Sequence, residues 1–361
     1  MRHVEPDGKK HFIIYLYLLP IISPLLYLST YCTIANCNTL QAMSKLVTVV
    51  GATGTQGGSV IRALLDSRDY KLRAITRNRN SETAQALAAK GIEIVEANLH
   101  DLSSLKAAFA GSYAIFGVTN YFDAFPGVPE AQATEVEAKM AIHLANAAAA
   151  TAGLKHYIWS TLPNTRKMTD GKIIVPHYEA KNRADDHIKS LPELHKKTTF
   201  LWIPWYGQNI FYPFYQPFAI PTLDPNTLYQ FESASPHVTW KVAGDVTVNV
   251  GLFVKAILDQ SEKTLNGAAV VAASDDMTPQ EIVSAWAAPQ GKKGAVIQLN
   301  RQAYHDLWAP WTAVMDLSQQ YFEMMGDKSF TGESVVLNKT DLGVEGLVGT
   351  AEFFAKAQRQ T

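Results

Sequence analysis

Hydrophobic and polar positions along residues 45–203 alternate between two periods. The β-branched run Val47-Thr48-Val49-Val50 reads as a buried strand, and Ser59-Val60-Ile61-Arg62-Ala63-Leu64-Leu65 reads as an amphipathic helix. Strand-like runs follow at Leu72–Thr76, Ile92–Val95, Tyr113–Val118, His156–Ser160 and Thr199–Ile203. Between them the pattern predicts a helix from Leu102 to Ala110, capped by Asp101 and closed by Gly111, and a long one from Glu130 to Ala152, ending at Gly153. Alternation of this kind predicts an α/β fold: a Rossmann-type, doubly wound parallel sheet with ligands outside the carboxyl ends of its strands. From about residue 205 the texture becomes aromatic and proline-rich (Trp205, Tyr206, Phe211, Tyr212, Pro213, Phe214, Tyr215), which predicts a smaller C-terminal substrate lobe. Thr278-Pro279-Gln280-Glu281 is a capping box that starts a helix, and Tyr304, Leu307, Trp308 and Trp311 recur at helical spacing and read as core.

The first strand feeds Gly51-Ala52-Thr53-Gly54-Thr55-Gln56-Gly57 and then a helix. Glycines at 51, 54 and 57 permit a tight turn and close backbone approach, and the helix start aims free N–H groups at an anion, so Gly51, Thr53, Gly54, Thr55, Gln56 and Gly57 are candidate pyrophosphate ligands of a dinucleotide. At the end of the second strand stands Thr76-Arg77-Asn78-Arg79, with no acid to hold a ribose 2′-hydroxyl. A guanidinium there pairs with a 2′-phosphate, so the expected cofactor is NADP with Arg77 as its main contact.

The 361 residues, 47% hydrophobic and 18% charged, suffice for a sizeable core. A net charge of −1 with no basic block excludes a direct nucleic-acid footprint. The histidines show no metal-ligand spacing, so no metal is expected. Both cysteines, Cys32 and Cys37, fall in the first 43 residues, and no charged residue occurs from Phe12 to Ser44. Residues 1–43 have three competing readings: a signal peptide, a membrane anchor through residues 12–31, or a dispensable leader upstream of a start at Met43. The third is preferred, with a cytoplasmic protein as its consequence and membrane association only if the extension is retained. The expected organisation is then 1–43 extension, 44–204 NADP-binding domain, and 205–361 mostly substrate lobe with helices returning to the core.

The glycine turn, Thr76-Arg77-Asn78, Val118-Thr119-Asn120, Trp159-Ser160-Thr161-Leu162-Pro163-Asn164 and the tail Thr350-Ala351-Glu352-Phe353-Phe354 together resemble the NmrA-like family, atypical members of the short-chain dehydrogenase/reductase superfamily, over about residues 45 to 357. The resemblance implies a Rossmann NADP domain with a smaller C-terminal lobe. It places Thr119 and Asn120 near the nicotinamide half and Pro204 to Asn209 beside the substrate. Asn98 departs from the acid that many relatives carry near the adenine.

Ordinary members of that superfamily place a tyrosine four residues before a lysine. Here Pro176-His177-Tyr178-Glu179-Ala180-Lys181 puts His177 at that position and Tyr178 one residue later. Residues three and four apart share a helix face, so Tyr178 or His177 is the expected donor, with the Lys181 ammonium lowering the tyrosine pKa and Lys181 holding the nicotinamide ribose. Ser160 or Thr161 is a further candidate to bond the substrate oxygen. Two functions follow. One is an NADPH-dependent reductase of a small, largely apolar carbonyl or enone compound, with a biosynthetic pathway as one setting for it; the other is a non-catalytic NADP sensor read by a regulatory protein partner such as a transcription factor.

Overall fold

The computed structural model describes residues 44–359, so the apolar extension, with Cys32, Cys37 and the 12–31 span, lies outside the described residues. The strands are β1 (Lys45–Val49), β2 (Tyr70–Thr76), β3 (Glu93–Glu96), β4 (Ala114–Gly117), β5 (His156–Thr161), β6 (Thr198–Trp202), β7 (Thr227–Glu232), β8 (Trp240–Val242), β9 (Ala268–Val271), β10 (Asp275–Met277), β11 (Lys293–Gln298) and β12 (Val336–Leu337). Eight of them form one sheet in the order β12-β9-β6-β5-β4-β1-β2-β3, with every pairing parallel. The strand order reverses at β1, whose carboxyl end therefore opens the crevice where such sheets bind ligands. Two smaller ladders, β7 with β11 and β8 with β10, belong to the C-terminal part.

Helices cover both faces of the sheet. They include α1 (Thr55–Leu64), α2 (Glu82–Ala88), α3 (Leu102–Phe109), α4 (Glu130–Ala149), α5 (Pro176–Lys189), α6 (Val246–Asp259), α7 (Pro279–Ala287), α8 (Arg301–Leu307) and α9 (Trp311–Met325). Strand alternation sorts the core into two layers. Val47, Val49, Ala114 and Phe116 pack with Val60, Leu64, Val250 and Phe253 of α1 and α6, whereas Ile115, Tyr157 and Trp159 pack with Leu105, Leu144, Ala184 and Ile188 of α3, α4 and α5. Helix α6 also fixes α1. A Cβ on Gly251 would come within 2.2 Å of the Ser59 carbonyl oxygen, and the Ser59 hydroxyl accepts from the Gly251 N–H (2.8 Å) while donating to the Val248 carbonyl (3.0 Å). The helix that leaves the glycine turn is thus held by backbone contact.

Two elements differ from the pattern-based expectation. Helix α4 stops at Ala149 and not at Ala152, because the Thr151 hydroxyl takes the Ala147 carbonyl (2.8 Å) and its N–H turns to Ala148, closing the last turn early. The run from Tyr304 to Trp311 is two helices, not one face. Pro310 has no N–H to give and disfavours helical geometry before it, so α8 ends at Leu307 and α9 restarts at Trp311. Tyr304 is core, as read; Leu307 is exposed, and Trp311 turns to rings beside the candidate site. The capping box at Thr278 and Glu281 is present at the start of α7. No described helix is long and apolar enough to cross a membrane.

Candidate functional site

The glycine turn sits at the carboxyl end of β1. Gly51 has φ +64°, in the left-handed region, and a Cβ on Gly57 would lie 2.3 Å from the Gly51 carbonyl oxygen, so both positions depend on glycine. Gly54 donates its N–H to the Gly51 carbonyl (2.9 Å) and begins α1 in extended geometry. Having no side chain, it leaves the first turn of α1 uncapped, and no acid occupies that turn. By contrast Ser81 caps α2 and Asp101 caps α3. An uncapped, unopposed helix start beside a turn that only glycine fits is the donor set a pyrophosphate needs. Thr53 and Thr55 are exposed at its crest. Gln56 reaches inward, donating to the Tyr206 hydroxyl (2.5 Å) and accepting from the Ser160 hydroxyl (2.8 Å). It ties the turn to the ends of β5 and β6.

Arg77 follows β2 and is strongly exposed, its side chain 80% accessible. Its Nη1 lies 3.1 Å from Oδ2 of Asp123, an acid from the loop after β4 that the sequence pattern did not single out. Asn120 shares this corner. Its side-chain oxygen accepts from the Phe122 N–H (3.2 Å), and its Nδ2 donates to Asp123 Oδ1 (2.7 Å). Asn98 is engaged locally, accepting from the His100 N–H (3.0 Å) in the turn before α3.

Lys181 lies on α5, and its ammonium is enclosed. It is 3.0 Å from Oε1 of Glu137, donates to the Thr119 carbonyl (2.9 Å) and hydroxyl (3.2 Å), and stands over the Trp159 ring at 5.5 Å. The Thr119 hydroxyl in turn donates to Glu137 Oε1 (2.7 Å). Glu137 of α4 is fully buried, and its Oε2 has no partner among the described residues. Glu137 is not among the residues that the motifs single out, although its position in the chain carries a signal. Ala133, Glu137, Ala141, Leu144 and Ala148 recur at the spacing of one buried helix face, so Glu137 is a carboxylate at a core phase.

The two candidate donors do not meet the lysine as expected. Tyr178 is buried against Tyr321 (ring centroids 6.1 Å) and His177 (4.9 Å), and burial pushes its phenol well above the ordinary range instead of Lys181 pulling it down. The physical reason is desolvation: Lys181 spends its charge on Glu137 and Thr119, whereas Tyr178 is sealed among rings. His177 packs between Tyr121 (6.0 Å) and Phe122 (5.6 Å), with an enclosed Nδ1 that has no partner among the described residues. Burial, with the Lys181 charge second, lowers its pKa to about 3. Phe122 and Phe125 also face Trp311 (5.7 and 5.3 Å), which makes an aromatic wall beside α5.

Of the residues past β5, Ser160 joins the site through Gln56, but Thr161 does not. Its hydroxyl donates to Asp185 Oδ2 (2.9 Å), a buried carboxylate that also accepts from Trp159 Nε1 (2.7 Å) and that burial pushes up to about 7. From the Pro204–Asn209 stretch, Tyr206 faces Gln56, and burial raises its phenol to about 12. The structure thus gathers the glycine turn, Gln56, Ser160 and Tyr206 in one cluster, and Thr119, Lys181 and Glu137 in another. Arg77, Asp123 and Asn120 form a third at the rim.

These features can be set against known proteins. The chain is 38% identical over 172 residues to the NmrA-like family domain-containing oxidoreductase hkm9 of Aspergillus hancockii, covering 47% of this chain and 49% of that one. It is 30% identical over 254 residues to an NmrA-like family domain-containing protein of Dictyostelium discoideum, covering 70% and 79%. The chain therefore spans only about half the length of the first of these relatives. Among solved structures it is similar to NmrA, a negative transcriptional regulator, in complex with NAD (TM-score 0.69, 18% identity, 87% of this chain and 95% of that one) and in complex with NADP (0.66, 19%, 87% and 95%). It is also similar to the NADPH-dependent quinone oxidoreductase QOR2 of Escherichia coli (0.62, 17%, 86% and 99%). At those identities the solved structures establish the Rossmann-type fold. The family model for the NmrA-like family matches residues 43–347, and the chain belongs to that family.

Proposed function

We propose that this chain is an NADP(H)-dependent oxidoreductase that reduces a small, largely apolar carbonyl or enone compound. The observation that carries the reading is the enclosed Lys181 ammonium beside a wall of Phe122, Phe125, His177 and Trp311, at the carboxyl ends of the strands that carry the glycine turn. The residues fit the cofactor. Main-chain amides from Thr53 to Gly57 receive the pyrophosphate, Arg77 the 2′-phosphate, and Thr119 and Lys181 the nicotinamide ribose, whereas Asn120, expected beside that ribose, lies instead with Asp123 at the Arg77 corner. Bound NADPH supplies the hydride.

The chain's own task is to place the carbonyl and to answer the negative charge that grows on its oxygen. Tyr178 stays protonated and can offer a hydrogen bond, but the burial that raises its pKa also makes it a weaker acid than an ordinary phenol, which counts against it as the proton donor. His177, neutral through physiological pH, offers at most one ring N–H. The three protein contacts of Lys181 match its three N–H donors, so Lys181 would hold a ribose hydroxyl only in exchange for one of them.

That saturation also favours a second reading: a non-catalytic NADP(H) sensor read by a regulatory protein partner, in which Lys181 is a structural ion pair. Incubating purified protein with NADPH and a panel of ketones, aldehydes and enones, with Lys181→Ala alongside, separates the two. Turnover that the variant abolishes supports the reductase. Saturable NADPH binding with no turnover supports the sensor.

A further inference from the structure

The rim ion pair says more about the coenzyme than Arg77 says alone. We propose that Asp123 is a selectivity residue: it competes with the coenzyme 2′-phosphate for Arg77 and shifts the site toward the unphosphorylated dinucleotide. The inference rests on the coenzyme reading above and concerns which coenzyme the site prefers.

Asp123 is braced. Its Oδ1 accepts from Asn120 Nδ2 (2.7 Å), and the short turn Tyr121–Asp123 is held by the Asn120 cap on Phe122 and by the rings of Tyr121, Phe122 and Phe125 packing on one another at 5.3 to 6.5 Å. Its Oδ2 then stands 3.1 Å from Nη1 of Arg77, the guanidinium that the coenzyme reading assigns to the adenosine ribose. The neighbouring acid of this corner, Glu96 on β3, is turned to the Arg79 N–H (3.2 Å), which leaves Asp123 as the carboxylate on Arg77.

A dianionic phosphate arriving at Arg77 meets a fixed like charge, and the guanidinium must divide its donors between the two or release Asp123. A ribose 2′-hydroxyl carries no charge and can donate to a carboxylate. Asp123 therefore acts oppositely on the two coenzymes. The pair is exposed and screened, so its effect is modest: about five-fold in affinity ratio, or about 1 kcal/mol at 1.4 kcal/mol per tenfold.

Calorimetric titration of the full chain with NADPH and with NADH tests this in wild type, Asp123→Asn, Asp123→Ser, Arg77→Ala and the Arg77→Ala/Asp123→Asn double variant. Both Asp123 variants should raise the NADPH-to-NADH affinity ratio about five-fold, by tightening NADPH, weakening NADH or both. On the Arg77→Ala background the same change should move the ratio less than two-fold. An unchanged ratio in both Asp123 variants overturns the proposal while leaving the coenzyme reading intact, and so does a five-fold shift that persists without Arg77. Binding of neither coenzyme by the wild-type chain overturns both.

Discussion

Glu137 and Glu232 are both completely buried, and they are accommodated in opposite ways. Glu137 meets a cation: Lys181 at 3.0 Å, with the Thr119 hydroxyl donating to the same oxygen. Glu232, on β7 in the C-terminal part, meets only amides, since Gln230 donates to one of its oxygens and Gln319 to the other. Burial accordingly pushes the Glu232 carboxyl up to about 8. One site is organised around a charge pair, and the other around a carboxyl that keeps its proton at neutral pH. Burial of a carboxylate alone therefore does not identify the chemical centre; the partner does. The proposed reductase assigns the pair beside the aromatic wall to ligand binding, whereas the Glu232 group, extended through Gln319 to the Tyr304 hydroxyl (3.0 Å) and to Ser233, stitches β7 to α8 and α9.

The sharpest way to break this contrast is to remove one member of the pair. Glu137→Ala leaves an ammonium in a closed site with no counter-charge, which should cost about 3–5 kcal/mol of stability by denaturant melts at pH 7. A Glu137→Leu/Lys181→Met double variant should recover most of that loss, because it removes the desolvation of both ions. If Glu137→Ala melts like wild type, the pair is not what holds α4 and α5 together there.

Next in size is a pH effect on Glu232. A carboxyl whose folded pKa is about 8, against about 4.3 when unfolded, binds more protons in the native state between those values. Stability from this group is therefore full below pH 4 and lost progressively as pH rises toward 8. Asp185, at about 7, acts in the same direction. Glu232→Gln should flatten the decline in melting temperature between pH 5 and 8, leaving the smaller slope from Asp185. A slope identical to wild type would show that Glu232 is ionised in the fold, which would erase the contrast with Glu137.

His177 supplies the opposite sign. Its folded pKa of about 3 lies below the unfolded value near 6.5, so the unfolded chain binds the extra proton and stability is lost as pH falls from about 6.5 toward 3. His156, lowered to about 4 by burial between β5 and β6, adds to that loss. His177→Phe should keep the aromatic wall and remove this loss, so that its melting temperature changes more favourably than that of wild type between pH 7 and 5, against the opposite trend from Glu232 and Asp185. A change identical to wild type would place the histidine in contact with water.

Much of this arrangement was legible in the chain, for reasons that separate the two glutamates again. The glycine turn and the parallel strands follow from local rules, so Gly51 and Gly57 could be placed on sight, whereas Lys181 was singled out only through the family resemblance. Glu137 was legible in principle, as a charge at a core phase of α4, because a 3.6-residue period reports burial wherever a helix is long. Glu232 was not. On β7 the inward face Leu228, Gln230 and Glu232 is mostly polar while Tyr229 and Phe231 on the other face are only half-buried, inverting the usual alternation. The distant partner of Glu232 is Gln319 of α9, 87 residues away. Asp123 was hidden for the same reason, since 46 residues separate it from Arg77 and only the order of strands brings them together. The expected lowering of the Tyr178 pKa failed because helical spacing predicts a shared face but not which neighbour claims the lysine.

Asp123 and Arg77 provide the smallest and most discriminating prediction, because they are the same chemical pair as Glu137 and Lys181 with water admitted. Their side chains are 43% and 80% accessible, against 1% and 11% for the buried pair. Solvent screens the attraction and stays with either ion when its partner is removed, so Asp123→Asn should change stability by less than about 0.5 kcal/mol in the melts that report several kcal/mol for Glu137→Ala. The buried pair should be nearly indifferent to added salt, while any contribution of the rim pair should vanish by about 1 M, where the screening length is near 3 Å. If Asp123→Asn destabilises as strongly as Glu137→Ala, the loop after β4 is an anchored part of the fold and not a surface that an arriving phosphate can contest. If it leaves the melt untouched, a change in coenzyme preference in that variant is a property of the site alone.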